Sequence, residues 1–313
     1  MSELALDVKV ARRLPKPVFA RTPLLDGIVP GAEAFQVILF ECLAHASANV
    51  APVVEARDCT GLHQLRVGLR RLRVALSTFG KGLPELEALN ARAKTICTTL
   101  GPARDLDVFL SDLFEPAVAQ LGHQSGFEIL RARALRAREK AWGHAVEVAA
   151  DPSFTAFQDA VAAAACAKLW DDTLELSMLA PAYLDQHLKR AKTRGRDLAG
   201  ASVAERHRLR IGLKKLRYTA EFFAAVYKPK KVARFMTPLK ELQDLLGALN
   251  DVALVRGILG RLMLEEVSDA PVQAELSHAT GLLLGWHQSR ADQMILKTTK
   301  RWKAFQKAEV FWG

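Results

Sequence analysis

One eleven-residue stretch occurs twice in this chain, and it limits the available folds more than any other feature. The first copy is His63-Gln64-Leu65-Arg66-Val67-Gly68-Leu69-Arg70-Arg71-Leu72-Arg73. The second, 144 positions later, is His207-Arg208-Leu209-Arg210-Ile211-Gly212-Leu213-Lys214-Lys215-Leu216-Arg217. Seven of the eleven positions are identical, and the Val/Ile and two Arg/Lys exchanges are conservative. Such a match at one offset points to a duplicated unit several helices long, not to a short solenoid repeat.

Each copy has two faces when it is wound as a helix. At about 100° per residue, Leu65, Leu69, Leu72, Leu76 and Phe79 share one side. His63, Arg66, Arg70 and Arg73 form a separate band. Leu209, Leu213, Leu216 and Phe223 repeat the apolar side, and His207, Arg210, Lys214 and Arg217 the basic one. Arg71 and Lys215 point elsewhere and read as solvated charges. Like charges four apart on a helix cost a few tenths of a kcal/mol per pair. A chain that repeats the arrangement in register has an anion to place there. An acidic helix elsewhere that pairs with both rows is the competing structural explanation.

Asp58 and Ser202, again 144 positions apart, are the expected N-caps, and Ser202-Val203-Ala204-Glu205 reads as a capping box. Gly68 and Gly212 read as points of close helix packing at the interface between the duplicated units. A second internal match sets Leu100-Gly101-Pro102-Ala103-Arg104-Asp105 against Leu246-Gly247-Ala248-Leu249-Asn250-Asp251, with Lys94 and Lys240 in equivalent places. Asp105 and Asp251 read as caps or charge partners. The spacing predicts helices near 32–49, 59–79, 84–99, 127–149, 154–168, 184–198, 203–226, 231–246, 251–265, 270–291 and 296–306. A further helix follows Asp105. Residues 1–30, with Pro15, Pro17, Pro23 and Pro30, read as an extended arm. Residues 31–168 and 169–313 form the two repeats, with Trp170-Asp171-Asp172 leading into the second. Arg131, Arg133, Arg136, Arg138 and Lys140 read as a solvated face at the rim of a groove, and Trp142, Trp286, Trp302 and Trp312 as core.

Charge narrows the partners. The formal net charge is +10. Residues 201–240 hold eleven Lys and Arg against two acids, Glu205 and Glu221. A focused excess of this kind implies a polyanion: nucleic acid, an anionic membrane surface or inorganic polyanion. The four cysteines, Cys42, Cys59, Cys97 and Cys166, stand far apart, which fits a reducing compartment and gives no zinc or disulfide framework. No unbroken run of about 20 apolar residues occurs, so a soluble, cytoplasmic chain without membrane insertion is expected.

The duplicated His-x-x-Arg-x-x-x-[Arg/Lys]-x-x-Arg helix, each copy followed by a Leu-Gly…Asp turn, resembles the CHAD domain, the conserved histidine α-helical domain. Leu213-Lys214-Lys215-Leu216-Arg217-Tyr218 with Glu221-Phe222, Gly285-Trp286 and Phe311-Trp312 are similar to that family's wording. The resemblance implies an all-α fold of two tandem antiparallel helical bundles, each like a four-helix bundle, related by a pseudo-twofold axis. It implies non-catalytic binding of inorganic polyphosphate in a basic groove, with localisation to polyphosphate granules. No Glu-x-Glu-x-Lys motif of the CYTH domain fused to many relatives is found, so a stand-alone member is expected.

Under that reading the groove is lined by His63, Arg66, Arg70, Arg73, Lys94, His207, Arg210, Lys214, Arg217 and Lys240. No cofactor or metal ligand set is read. Arginine suits phosphate because its planar fork bonds two oxygens at once. Each histidine either meets the ligand or bonds locally, to Asp105 or Asp251, and orients its helix. In the first case, cationic neighbours favour neutral imidazole in the free protein and a bound polyanion favours imidazolium, so binding tightens as pH falls toward 6. RNA binding is the main alternative function. Tyr218 and Tyr227 are the only tyrosines near the cations, which is poor provision for base stacking. A phosphotransferase acting through phosphohistidine at His63 or His207 is the third, weakened by the lack of an acidic metal cluster.

Overall fold

The structure is a computed structural model that describes residues 14–167, 174–265 and 269–313. Among the described residues it is all α, and its one β feature is an isolated bridge between Pro30 and Glu175. Trp170-Asp171-Asp172 lies outside the described residues, as does the expected boundary at 168/169.

The basic helix of each copy begins where its cap places it. Helix α3 spans Cys59–Phe79, and Asp58 accepts a 2.7 Å bond from the Gly61 amide. Helix α10 spans Val203–Phe222, and Ser202 and Glu205 form the reciprocal capping box. Each helix is flanked alike. Helices α1 (Gly31–Ser47) and α4 (Pro84–Thr99) pack on α3, α9 (Leu176–Arg194) and α11 (Pro229–Leu262) pack on α10, and α3 meets α10. The close approaches at the repeated glycines lie within each half. A Cβ on Gly68 would come 2.8 Å from the Ala46 amide of α1, whereas one on Gly212 would meet Arg194 of α9 at 3.1 Å.

Several elements depart from the spacing. Helix α9 starts eight residues earlier than expected, at Leu176, and continues through Pro181. The expected 231–246 and 251–265 helices are one, α11, which runs through Leu246-Gly247-Ala248-Leu249-Asn250 without a turn. The expected 270–291 and 296–306 helices are also one, α12 (Ala270–Gln306). Burial explains both: each helix keeps apolar residues facing two cores along its length. In the first copy Leu100 does break the chain, and α5 (Gly101–Val108) follows with Pro102 in its first turn. A π-helical segment, Phe109–Phe114, joins α5 to α6 (Glu115–Leu121). Helix α7 (Ser125–Ala150) then leads to α8 (Pro152–Cys166).

The larger core is built by α1, α3, α4, α8, α9 and α10, with parts of α7, α11 and α12. The smaller lies between α5, the π segment, the start of α7, the end of α11 and the start of α12, around Phe109, Phe114, Phe127 and Ile258. Both cores draw on residues from both copies of the repeat.

The stretch Gly31–Val54 has the length and mean hydropathy, 1.6, of a membrane span, although Glu33, Gln36, Glu41 and His45 interrupt it, so it is no unbroken apolar run. It is two helices, α1 and α2 (Val50–Val54), and α1 buries Phe35, Ile38, Leu39 and Cys42 against the core. The arm crosses it. Buried Asn49 bonds both the amide and the carbonyl of Val18, at 3.0 and 2.8 Å. Further along, the Gly31 amide donates to Leu174 O and the Leu176 amide to Val29 O, both at 2.9 Å, tying the arm to the start of α9.

Candidate functional site

Where α3 and α10 meet, the two basic rows come together. His63, Arg66, Arg70, Arg210, Lys214 and Arg217 are all partly buried and act on one another electrostatically. Burial pushes the Lys214 ammonium down to about 6, and Arg70, Arg210, Arg217 and Arg66 push it the same way. Burial likewise lowers His63 to about 4, helped by Arg104, Arg70, Lys214 and Arg66. With α3 packed on α10, these residues form one cation cluster drawn from both copies.

The cations in this cluster are poorly matched. The buried Nε–H groups of Arg70, Arg210 and Arg217 have no hydrogen-bond partner. An unmet buried donor costs about 1–3 kcal/mol, so three in one place call for an acceptor from outside the chain, water or an anion. Arg217 reaches Glu221 at 3.3 Å and lies over the Tyr218 ring at 4.8 Å. Arg66 donates to the Cys97 carbonyl. Asp105 and Asp251 face the cluster without a direct ion pair to it. Burial raises both carboxyls, against Arg66 acting on Asp105 and Arg210 acting on Asp251. Asp105 lies within α5 and Asp251 within α11, so neither is a helix cap.

The repeated Leu-Gly element packs beside the basic rows. A Cβ on Gly101 would lie 3.4 Å from Arg66 Nη1, and one on Gly247 would lie 4.0 Å from Arg210 Nε. Both are ordinary van der Waals separations, so the glycine of each copy lies beside the first arginine of that copy's row without being sterically required there.

The other expected residues divide. His207 is exposed, and its Nδ1 lies 2.8 Å from Asn250 Oδ1, in place of the expected Asp251. Arg73 bonds Asn90 Oδ1 at 3.3 Å and is among the charges that act on Lys215. Lys94 and Lys240 are exposed and are not among the charges that act most strongly on His63, Lys214, Asp105 or Asp251. Two cluster residues were missed, Arg104 and Arg261. Arg104 acts on His63 and both act on Asp105. Arg104 sits inside the second sequence match, beside Asp105, and that was its available signal.

Two sequence readings are corrected and a third is refined. Arg71 is not a solvated charge: it is 4% exposed, pairs with Glu221 at 2.6 Å and donates to the Arg21 carbonyl at 3.1 Å. It enters the α3–α10 contact, where desolvation makes the partner necessary. Helix α7 is not a free basic face. Arg131 pairs with Glu115 and Glu128, Arg136 with Glu265 and Arg138 with Asp107, and Arg133 is buried against Leu262 O at 2.7 Å. Finally, Trp286 is half-buried and packs against the smaller core from its edge. Its indole faces Arg290 at 4.5 Å, whereas Trp142, Trp302 and Trp312 are buried.

A cavity of about 680 Å³ between α5, α7 and α11 adjoins the cluster through Asp105 and Arg261. Among the described residues, no group of three or more His, Cys, Asp or Glu could hold a metal ion.

These features define an all-helical protein built on a duplicated basic helix whose rows converge. The chain belongs to the CHAD domain family, whose model matches residues 37–260. It is similar to the crystal structure of the CHAD domain from the plant Ricinus communis, with TM-score 0.81 and 26% identity, covering 94% of this chain and 98% of that one. It also resembles in fold PptA from Streptomyces chartreusis, with TM-score 0.68 and 16% identity, covering 88% of this chain and 100% of that one. No curated protein sequence matches.

Proposed function

We propose that this protein binds inorganic polyphosphate, without turning it over, in the groove where α3 and α10 meet. The two halves are read as helical bundles related by a pseudo-twofold axis, each supplying half of one cation row. The observation that carries this reading is the set of buried, unpartnered Nε–H donors on Arg70, Arg210 and Arg217. A phosphate chain offers each guanidinium paired oxygens, and its charge restores the proton that burial and like charges remove from Lys214. Granule association in the cytoplasm follows as the expected location, tested by a fluorescent fusion.

Stacking supply favours polyphosphate over RNA. Tyr218 is buried beneath Arg71 and Arg217, and Tyr227 packs on Phe311, so neither presents a free ring to a base. Calorimetry with long-chain polyphosphate, followed by competition with tRNA at equal phosphate concentration, tests the reading. Binding that tRNA fails to displace is expected. Displacement by tRNA transfers the assignment to nucleic acid. Phosphate release that is lost in His63→Ala makes the protein a phosphotransferase or hydrolase.

A further inference from the structure

Helix α9 carries a third row with the spacing of the two repeats. His187, Arg190 and Arg194 stand at i, i+3 and i+7, as His63, Arg66 and Arg70 do on α3 and His207, Arg210 and Lys214 do on α10. At about 100° per residue the three fall within roughly 60° of one another. His187 is buried, with its Nε2 3.3 Å from Thr78 Oγ1 of α3, which turns the row toward the α3–α10 junction. Arg190 and Arg194 are exposed at its edge.

The repeat shows what is unusual there. Arg71 and Lys215 are equivalent positions. Arg71 has Glu221 at 2.6 Å, and the position equivalent to Glu221 in the first copy is Ser77, whose hydroxyl bonds Val74 O at 3.1 Å. Lys215 therefore sits half-buried without the acid that its counterpart has. Its neighbours are cations. Burial first, then Arg194, Arg73 and Arg190, disfavour its charge. Arg73 is held by neutral Asn90 and Arg194 by the Arg208 carbonyl, both at 3.3 Å. Among the described residues, none of these four cations makes an ion pair with a carboxylate.

We propose that Arg190 and Arg194 of α9, with Arg73 of α3 and Lys215 of α10, form a second oxyanion cradle that holds the same phosphate chain where it leaves the central row. This rests on the central row being a polyphosphate site. A linear polyanion needs fixed cations along its path, and the cradle continues the path on the α9 side. Tripolyphosphate is satisfied by the central row alone, whereas a long chain engages both. The cradle thus makes the protein selective for length.

Calorimetry on the full chain, with tripolyphosphate and with long-chain polyphosphate over a range of salt, tests this. In Arg190→Ala/Arg194→Ala the long-chain Kd rises about tenfold and the log–log salt slope becomes shallower by about 2. Tripolyphosphate affinity stays within about twofold. Circular dichroism checks folding, and Arg190→Glu, an exposed single change, must reproduce the loss. Unchanged long-chain affinity and slope in the folded variants overturns the cradle and leaves the central site standing. Equal losses for both ligands overturn it as a separate extension. No polyphosphate binding of either length by the wild type overturns the cradle and the function it rests on together.

Discussion

Helix α7 and the α3–α10 pair are both rich in arginine, and they treat it in opposite ways. On α7 each arginine is matched: Arg131 by two glutamates, Arg133 by a carbonyl, Arg136 by Glu265 and Arg138 by Asp107. At the α3–α10 junction, Arg70, Arg210 and Arg217 keep buried Nε–H groups without partners, and Lys214 is held down near 6 by its surroundings. The first arrangement stabilises the fold and the second costs it stability. Basic composition alone does not mark a binding site; a cluster of desolvated cations whose buried donors lack partners does.

The stability half of that contrast is the easiest to break. Arg138 serves buried Asp107, which also accepts a 3.0 Å bond from Trp142. Arg138→Ala leaves that carboxylate short of its partner and is expected to lower stability by about 3 kcal/mol in urea unfolding. Polyphosphate affinity stays unchanged. A loss of binding without a loss of stability reverses the roles assigned to the two regions.

Lys214→Met is expected to do the converse. Removing one like charge from the cluster raises stability by ~1 kcal/mol while weakening polyphosphate binding. A destabilised variant that binds normally contradicts the picture. The wild-type pH profile carries the same information. Lys214 titrates near 10.5 when unfolded and about 6 when folded, so between those values the unfolded chain binds the extra proton. Stability should therefore rise with pH across that window, fall as pH is lowered through it, and level off below about 6.

The smallest effect sharpens the link between the cluster and its ligand. A bound polyanion raises the Lys214 ammonium and His63 back toward their ordinary values, so binding takes up protons and weakens as pH rises from about 6 to 8. Calorimetry in buffers of different ionisation heat should show uptake of about one proton near neutral pH, much reduced in Lys214→Arg because arginine stays charged. Equal uptake by both proteins removes Lys214 from the site.

Local information made much of this legible in the sequence. Asp58 and Ser202 set the starts of α3 and α10, and the leucine face fixes how each basic helix packs. Contacts between distant segments were not legible. Arg71 looks solvated on a helical wheel because Glu221, its partner, stands 150 residues away. The continuity of α11 through Gly247 was hidden for a similar reason. Glycine signals a break when read locally, but here it lies inside one continuous helix whose apolar residues are buried in two cores built from distant segments. Lys94 and Lys240 occupy equivalent places in the two copies, and that equivalence carries no information about reach across the groove.

The central claim is that pairing state, not net charge, defines the anion site. Two variants of equal net charge test it most directly: Arg70→Ala/Arg210→Ala at the junction and Arg131→Ala/Arg136→Ala on α7. Titrated with long-chain polyphosphate at one salt concentration, the junction variant should lose about a hundredfold in affinity and the α7 variant less than about twofold. Equal losses in the two would mean that the protein binds through its overall charge, and the assignment of the site to α3 and α10 would be wrong.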